Sequence, residues 1–163
     1  MEWREVVEHP SLQDLPFKIE TNEWGKIMMA PASYAHGLYA VRIVEWLLRP
    51  GGGKGRVSTE CPVKTSKGTK VADVAWASPA FLKKHGIRMV ELPESPELVV
   101  EIESPSNSAA ELEEKRLLYF ERGAREFWLC TEEGNMRFFN PRAELERSEI
   151  FKEFPARIEI ESS

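Results

Sequence analysis

The chain has 163 residues, 42% hydrophobic and 30% charged, with 8 Phe and 5 Trp available as large buried groups. This is the composition of a globular protein of one domain, residues 1–163. No run approaches the roughly 20 apolar residues of a membrane span. A net charge of -5 argues against a surface that coats nucleic acid indiscriminately, but carboxylates that hold a metal add negative charge which the cation cancels.

The start, Met-Glu-Trp-Arg-Glu, lacks the layout of a signal peptide, so a cytoplasmic location is expected. Residues 17–20 and 25–30 are predicted as short strands around the turn Thr21-Asn-Glu-Trp-Gly25. Pro31-Ala-Ser33 opens a helix to about Arg49, with Leu38, Val41, Ile43, Val44, Trp46, Leu47 and Leu48 as its apolar positions, and Pro50-Gly-Gly-Gly53 ends it. Strands follow at 56–63 and 69–77, joined by Ser66-Lys-Gly68, then a short helical turn at 79–85. Pro93 and Pro96 bracket the loop into a strand at 97–103. Ser104-Pro-Ser-Asn107 supplies the N-cap of a helix over 108–122 that Gly123 stops. Residues 125–131 and 136–140 form a further pair of strands through Glu133-Gly-Asn135, and 147–160 is expected to add edge strands. The expected fold class is α/β, or α+β: a mixed sheet flanked by helices, with 97–131 as a right-handed parallel crossover. Cys61 and Cys130 lie in predicted strands without Cys-x-x-Cys spacing, and His9, His36 and His85 are scattered; buried free thiols fit better than a zinc site.

Three charges stand in apolar surroundings. Asp73 lies in Val71-Ala-Asp-Val-Ala-Trp-Ala77, Glu101 in Glu97-Leu-Val-Val-Glu-Ile-Glu103, and Lys115 in a helical stripe with Leu112, Leu118 and Tyr119. Charges are rarely left in such places unless paired or metal-bound. Alternation puts Leu98, Val100 and Ile102 on a core face and Glu97, Val99, Glu101 and Glu103 on the other. If 69–77 runs antiparallel to 97–103, Asp73 and Glu101 lie side by side, enough to hold a hard cation together with phosphate oxygens. The other apolar residues of the helix, Ala109, Ala110, Leu117 and Phe120, spread around it and imply burial on all sides. The structural alternative stays open: Asp73 capping a backbone group, Glu101 and Glu103 solvated at a strand end, Lys115 paired with Glu111.

The blocks Ala72-Asp-Val74, Leu98-Val-Val-Glu-Ile-Glu-Ser-Pro-Ser106, Glu114-Lys-Arg-Leu-Leu-Tyr119 and Gly123-Ala-Arg-Glu-Phe-Trp-Leu129 resemble, in order and spacing, the Uma-type putative restriction endonuclease family of the PD-(D/E)xK nuclease superfamily. The resemblance covers about 17–140, including Glu23-Trp-Gly25 and Pro31 to His36. It implies a restriction-endonuclease-like core with an N-terminal hairpin. It also implies Mg²⁺ or Mn²⁺ held by Asp73 and Glu101, and a catalytic Lys115 shifted from its usual place onto the helix. That usual place is Glu103, either a further metal ligand or a strand cap. Ala72 replaces the motif proline.

Lesser candidates are Glu45 and Glu60, which read more readily as salt-bridged or solvated residues, and His36, which reads more readily as a structural residue at the helix entry. Basic residues at Lys54–Arg56, at Lys64, Lys67 and Lys70, and at Lys83–Arg88 read singly as solvated loops and strand edges and together as a phosphate-tracking rim. The function expected is metal-dependent hydrolysis of nucleic-acid phosphodiesters, DNA before RNA, by a homodimer. The alternative is a nuclease-like fold kept for nucleic-acid binding or protein assembly with little catalysis.

Overall fold

A computed structural model describes residues 1–49 and 54–161. Among these residues the elements are α1 (Trp3–Glu8), a 3-10 turn (Pro10–Leu12), β1 (Phe17–Thr21), β2 (Ile27–Pro31), α2 (Tyr34–Leu47), β3 (Arg56–Thr65), β4 (Gly68–Ala77), α3 (Pro79–His85), β5 (Leu98–Ile102), α4 (Ala109–Glu121), β6 (Glu126–Cys130), β7 (Met136–Phe139) and β8 (Glu144–Leu145). The fold class is mixed α and β. Strands β3 to β8 form one six-stranded sheet in chain order, and β1–β2 form a separate antiparallel hairpin. Only β5 and β6 run parallel within the described sheet, joined by α4 as the crossover; the other neighbours are antiparallel.

The central strand β5 is buried at all five positions, which is why Leu-Val-Val-Glu-Ile reads as an almost continuous apolar run. Each of its faces meets a different layer. Leu98, Val100 and Ile102 pack with Tyr39, Ile43 and Leu47 of α2 and with Trp128, Phe138, Phe151 and Phe154. On the opposite face Val99 packs with Leu112 and Tyr119 of α4 and with Phe127 and Phe139. The sheet is therefore covered on both sides, and Phe127 and Trp128 are core residues. Cys61 and Cys130 are buried free thiols; burial pushes them up to about 11 and about 12.

The hairpin is tied to the start of β4 by hydrogen bonds that each pair a side chain with backbone. Thr69 donates its N–H to Thr21 Oγ1 at 2.7 Å, and Lys70 Nζ donates to the Thr21 carbonyl at 2.9 Å. Gly68 makes this approach possible. It has φ of 85°, and a Cβ there would collide with the Thr21 and Asn22 carbonyl oxygens. On its other side the hairpin rests against α1, where Trp3, Val6, Ile19 and Ile27 cluster with Val71. The sequence patterning had indicated neither α1 nor the 3-10 turn.

Three further expectations are corrected. The segment 147–160 adds no strand to the sheet; the last strand is the two-residue β8, and beyond it the chain makes an isolated bridge from Arg157 to Asn135. The cause is Glu126, whose carboxylate accepts the backbone N–H groups of Glu149 and Ile150 at 2.8 and 3.0 Å, donors that a strand would have used in a ladder. Helix α4 is capped by Ser108, in a reciprocal capping box with Glu111, while Ser104 and Asn107 close the preceding turn. That helix is buried on one side only: Leu112, Leu118 and Tyr119 face inward, whereas Leu117, Ala109 and Ala110 are exposed. The helix stop at 50–53 lies outside the described residues.

Candidate active site

Strands β4 and β5 pair with Val74 opposite Val100, which brings the next residues, Asp73 and Glu101, side by side. Their backbones lie in paired strands and their side chains are almost fully buried, 5% and 2% exposed. One oxygen of each points at the same cation. Lys18 Nζ, from β1, lies 2.9 Å from Asp73 Oδ1 and 3.3 Å from Glu101 Oε2. The remaining oxygens are held separately. Asp73 Oδ2 accepts the Ile102 N–H at 2.7 Å and lies 3.2 Å from His36 Nε2; Glu101 Oε1 accepts the Tyr119 hydroxyl at 2.9 Å and lies 3.7 Å from Lys115 Nζ. A third carboxylate completes the cluster. Glu20 Oε1 pairs with Lys115 at 2.9 Å, and its Oε2 accepts the Val71 N–H at 2.8 Å, 4.0 Å from Lys18.

The electrostatics follow from who pairs with whom. Burial alone would push Asp73 up, but Lys18, His36 and the Ile102 N–H outweigh it and hold the carboxyl well below the ordinary range. Glu101 lies deeper, and there burial wins: its carboxyl is pushed up to about 7 in spite of Lys115 and Lys18. Burial opposes the charge on Lys18, yet Glu101, Asp73 and Glu20 raise its affinity for the proton. His36 is raised mainly by its hydrogen bond to Asp73, and Tyr119 is raised by burial and by Glu101.

The cluster forms the floor of an open cavity of about 770 Å³. Exposed Phe17, Trp24, Met28 and Met29 of the hairpin contribute one wall. Of the basic residues in the expected rim, only Lys67 and Lys70 reach the cavity; Lys84 and His85 are paired with Glu94 elsewhere.

The sequence candidates thus separate. Asp73, Glu101 and Lys115 come together, and His36 joins them. The structural alternative holds in part for Asp73, which does accept a backbone N–H. It does not hold for Lys115, whose partner is Glu20, not Glu111. Glu60 lines the cavity opposite Asp73, between the Thr59–Val74 and Cys61–Ala72 pairs, with a φ of 49° rarely adopted by a non-glycine residue. Glu103 accepts the Glu132 N–H at 3.3 Å, the strand-end cap rather than a place on the cavity wall. Glu45 pairs with Arg42 on the exposed face of α2. Lys18 and Glu20 escaped sequence reasoning. Their i, i+2 spacing, which places both on one face of β1, was the available signal.

Among the described residues no group of three His, Cys, Asp or Glu is arranged to hold a metal ion by itself. Two hard oxygen donors already converging on one cation do suit Mg²⁺ or Mn²⁺ where water and phosphate complete the shell.

Residues 13–162 match the model of the Uma2 family, described as putative restriction endonuclease, and the chain belongs to that family. Among solved structures it is similar to a protein from Anabaena variabilis described as a putative nuclease belonging to DUF820. The two are 19% identical, with 88% of this chain and 81% of the other covered at a TM-score of 0.69, a likeness of fold. No curated protein matches. Among the described residues no helix is long and apolar enough to cross a membrane.

Proposed function

We propose that the protein is a metal-dependent nuclease that hydrolyses phosphodiester bonds of nucleic acid, DNA in the first instance, at the floor of this cavity. One observation carries the reading: two carboxylates on adjacent strands aim an oxygen each at one cation position beside an open cleft, with a lysine from the crossover helix on the far side. Family membership supports the same chemistry.

Asp73 and Glu101 would hold Mg²⁺ or Mn²⁺ through the oxygens that now face Lys18, and the bound cation would polarise the phosphate and lower the pKa of water. Asp73 enters with its charge secured by Lys18, His36 and the Ile102 N–H. Tyr119 holds Glu101 Oε1, fixing the plane of that carboxylate so that Oε2 faces the cavity. Lys115 is anchored by Glu20 and places a positive charge where negative charge develops on the phosphate oxygens. Rigid strands on both sides keep these groups in register without loop closure.

Cleavage of plasmid and of short single- and double-stranded oligonucleotides in Mg²⁺ or Mn²⁺ tests the proposal. Asp73→Ala is expected to abolish metal-dependent cutting, and full activity in that variant sinks it. Lys115→Met should fold and turn over at least about a hundredfold more slowly; loss of the fold instead would make Lys115 a structural residue.

A further inference from the structure

We propose that Lys18 is the resident cation of the acidic pair, a positioning residue that holds Asp73 and Glu101 together until a divalent cation displaces it. The inference rests on the reading of those two carboxylates as metal ligands and adds the residue that competes for them.

The hydrogen-bond inventory of the two carboxylates leaves little choice. Asp73 Oδ2 is taken by the Ile102 N–H and His36, and Glu101 Oε1 by the Tyr119 hydroxyl with Lys115 close by. The oxygens left are Asp73 Oδ1 and Glu101 Oε2, and Lys18 Nζ already sits on both, at 2.9 and 3.3 Å. An entering cation and the ammonium therefore want the same two atoms. Without either, Asp73 Oδ1 and Glu101 Oε2 would face each other with no cation between them, like charges in a buried setting.

Lys18 is also the partner best placed to leave. It belongs to the two-stranded hairpin, not to the six-stranded sheet that carries the acids. Its side chain keeps 19% of its exposure and lines the cavity, so a rotation of its four-carbon stem moves the ammonium into the cleft rather than into the core. Lys115, by contrast, is tied to Glu20 at 2.9 Å from the other side of Glu101. Once displaced, the Lys18 ammonium remains in the cleft that would receive the phosphate.

Calorimetric titration with Mn²⁺ alone, at pH 8 and without nucleic acid, tests this on the wild-type chain, Lys18→Met and Asp73→Asn. Removing the competitor should tighten Mn²⁺ binding roughly ten- to a hundredfold, the usual range of coupling between two sites or ligands. Asp73→Asn should lose the binding. Equal or weaker affinity in Lys18→Met overturns the exchange while leaving the metal site standing. Mn²⁺ binding that ignores Asp73→Asn, or is absent from every form, overturns the metal reading and the exchange with it. A second measurement needs no variant: reductive methylation of the wild-type chain followed by mass spectrometry. Mn²⁺ should speed modification of Lys18 as its ammonium leaves the carboxylates, and an unchanged rate at saturating Mn²⁺ overturns the proposal even if Lys18→Met does not fold.

Discussion

Glu101 and Glu126 sit on neighbouring parallel strands and are equally buried, at 2% exposure each, yet they are held in opposite ways. Glu126 is satisfied by four neutral donors: the Trp128 indole and the Ser148 hydroxyl at Oε1, and the Glu149 and Ile150 backbone N–H groups at Oε2, all within 2.7–3.0 Å. Its work is to fasten the C-terminal segment onto the sheet. Glu101 is held by one hydroxyl and two ammonium groups, and it lines a cavity. Burial does not by itself distinguish a structural acid from a chemical one. The proposed roles rest on the nature of the partners: fixed dipoles hold Glu126, whereas the ammonium on Glu101 is a cation that another cation could replace.

Three experiments can break or sharpen that distinction. The largest effect is expected from Glu126→Ala, which takes the acceptor from four donors at about 1–3 kcal/mol each, only the Ile150 N–H keeping a second partner in Ser148 Oγ at 3.1 Å. Urea denaturation should show a loss of more than about 3 kcal/mol, and near-wild-type stability would erase the structural role given to Glu126. Glu101→Gln comes next. The amide oxygen can still accept from Tyr119, Lys18 keeps Asp73, and Lys115 keeps Glu20, so the fold should suffer less than in the Glu126 variant while cleavage falls at least about a hundredfold. If stability falls as far as in Glu126→Ala, the two acids are the same kind of residue. The smallest effects come from a matched pair. Tyr119→Phe and Trp128→Phe each remove one donor to a buried glutamate, worth about 1 kcal/mol, and the second also vacates the core space that the larger indole filled. Tyr119→Phe should slow cleavage severalfold, whereas Trp128→Phe should lower the melting temperature and leave cleavage alone.

The acids and Lys115 were legible in the sequence because each interrupts an apolar pattern whose period identifies its element. Order and type of most strands and helices were legible for the same reason. Lys18 and Glu20 were not, since charged residues alternating along Phe17-Lys-Ile-Glu-Thr21 look like the solvent face of a hairpin. Only packing decides that Ile19 turns to α1 and the charges turn to the sheet. The tail 147–160 misled for a related reason: local pattern carries no trace of Glu126 waiting more than twenty residues upstream to take the N–H groups of a would-be strand. His36 and Glu45 lie on one helix and looked alike as candidates. The rotation of α2 against the sheet separates them, bringing one to Asp73 and leaving the other in solvent.

The missing side chain at Gly68 sets the stand-off between two separately built sheets, one carrying the acids and the other carrying Lys18 and Glu20. Because nothing but backbone fills that gap, the spacing between opposite charges is governed from a position that bears no charge and lies outside the cluster. Enlarging residue 68 lifts β1 away from β4 and loosens every cross-sheet ion pair together, and with them the proton affinities that those pairs set. The proposed site thus has a steric control point, open to variation without the loss of a single ionisable group.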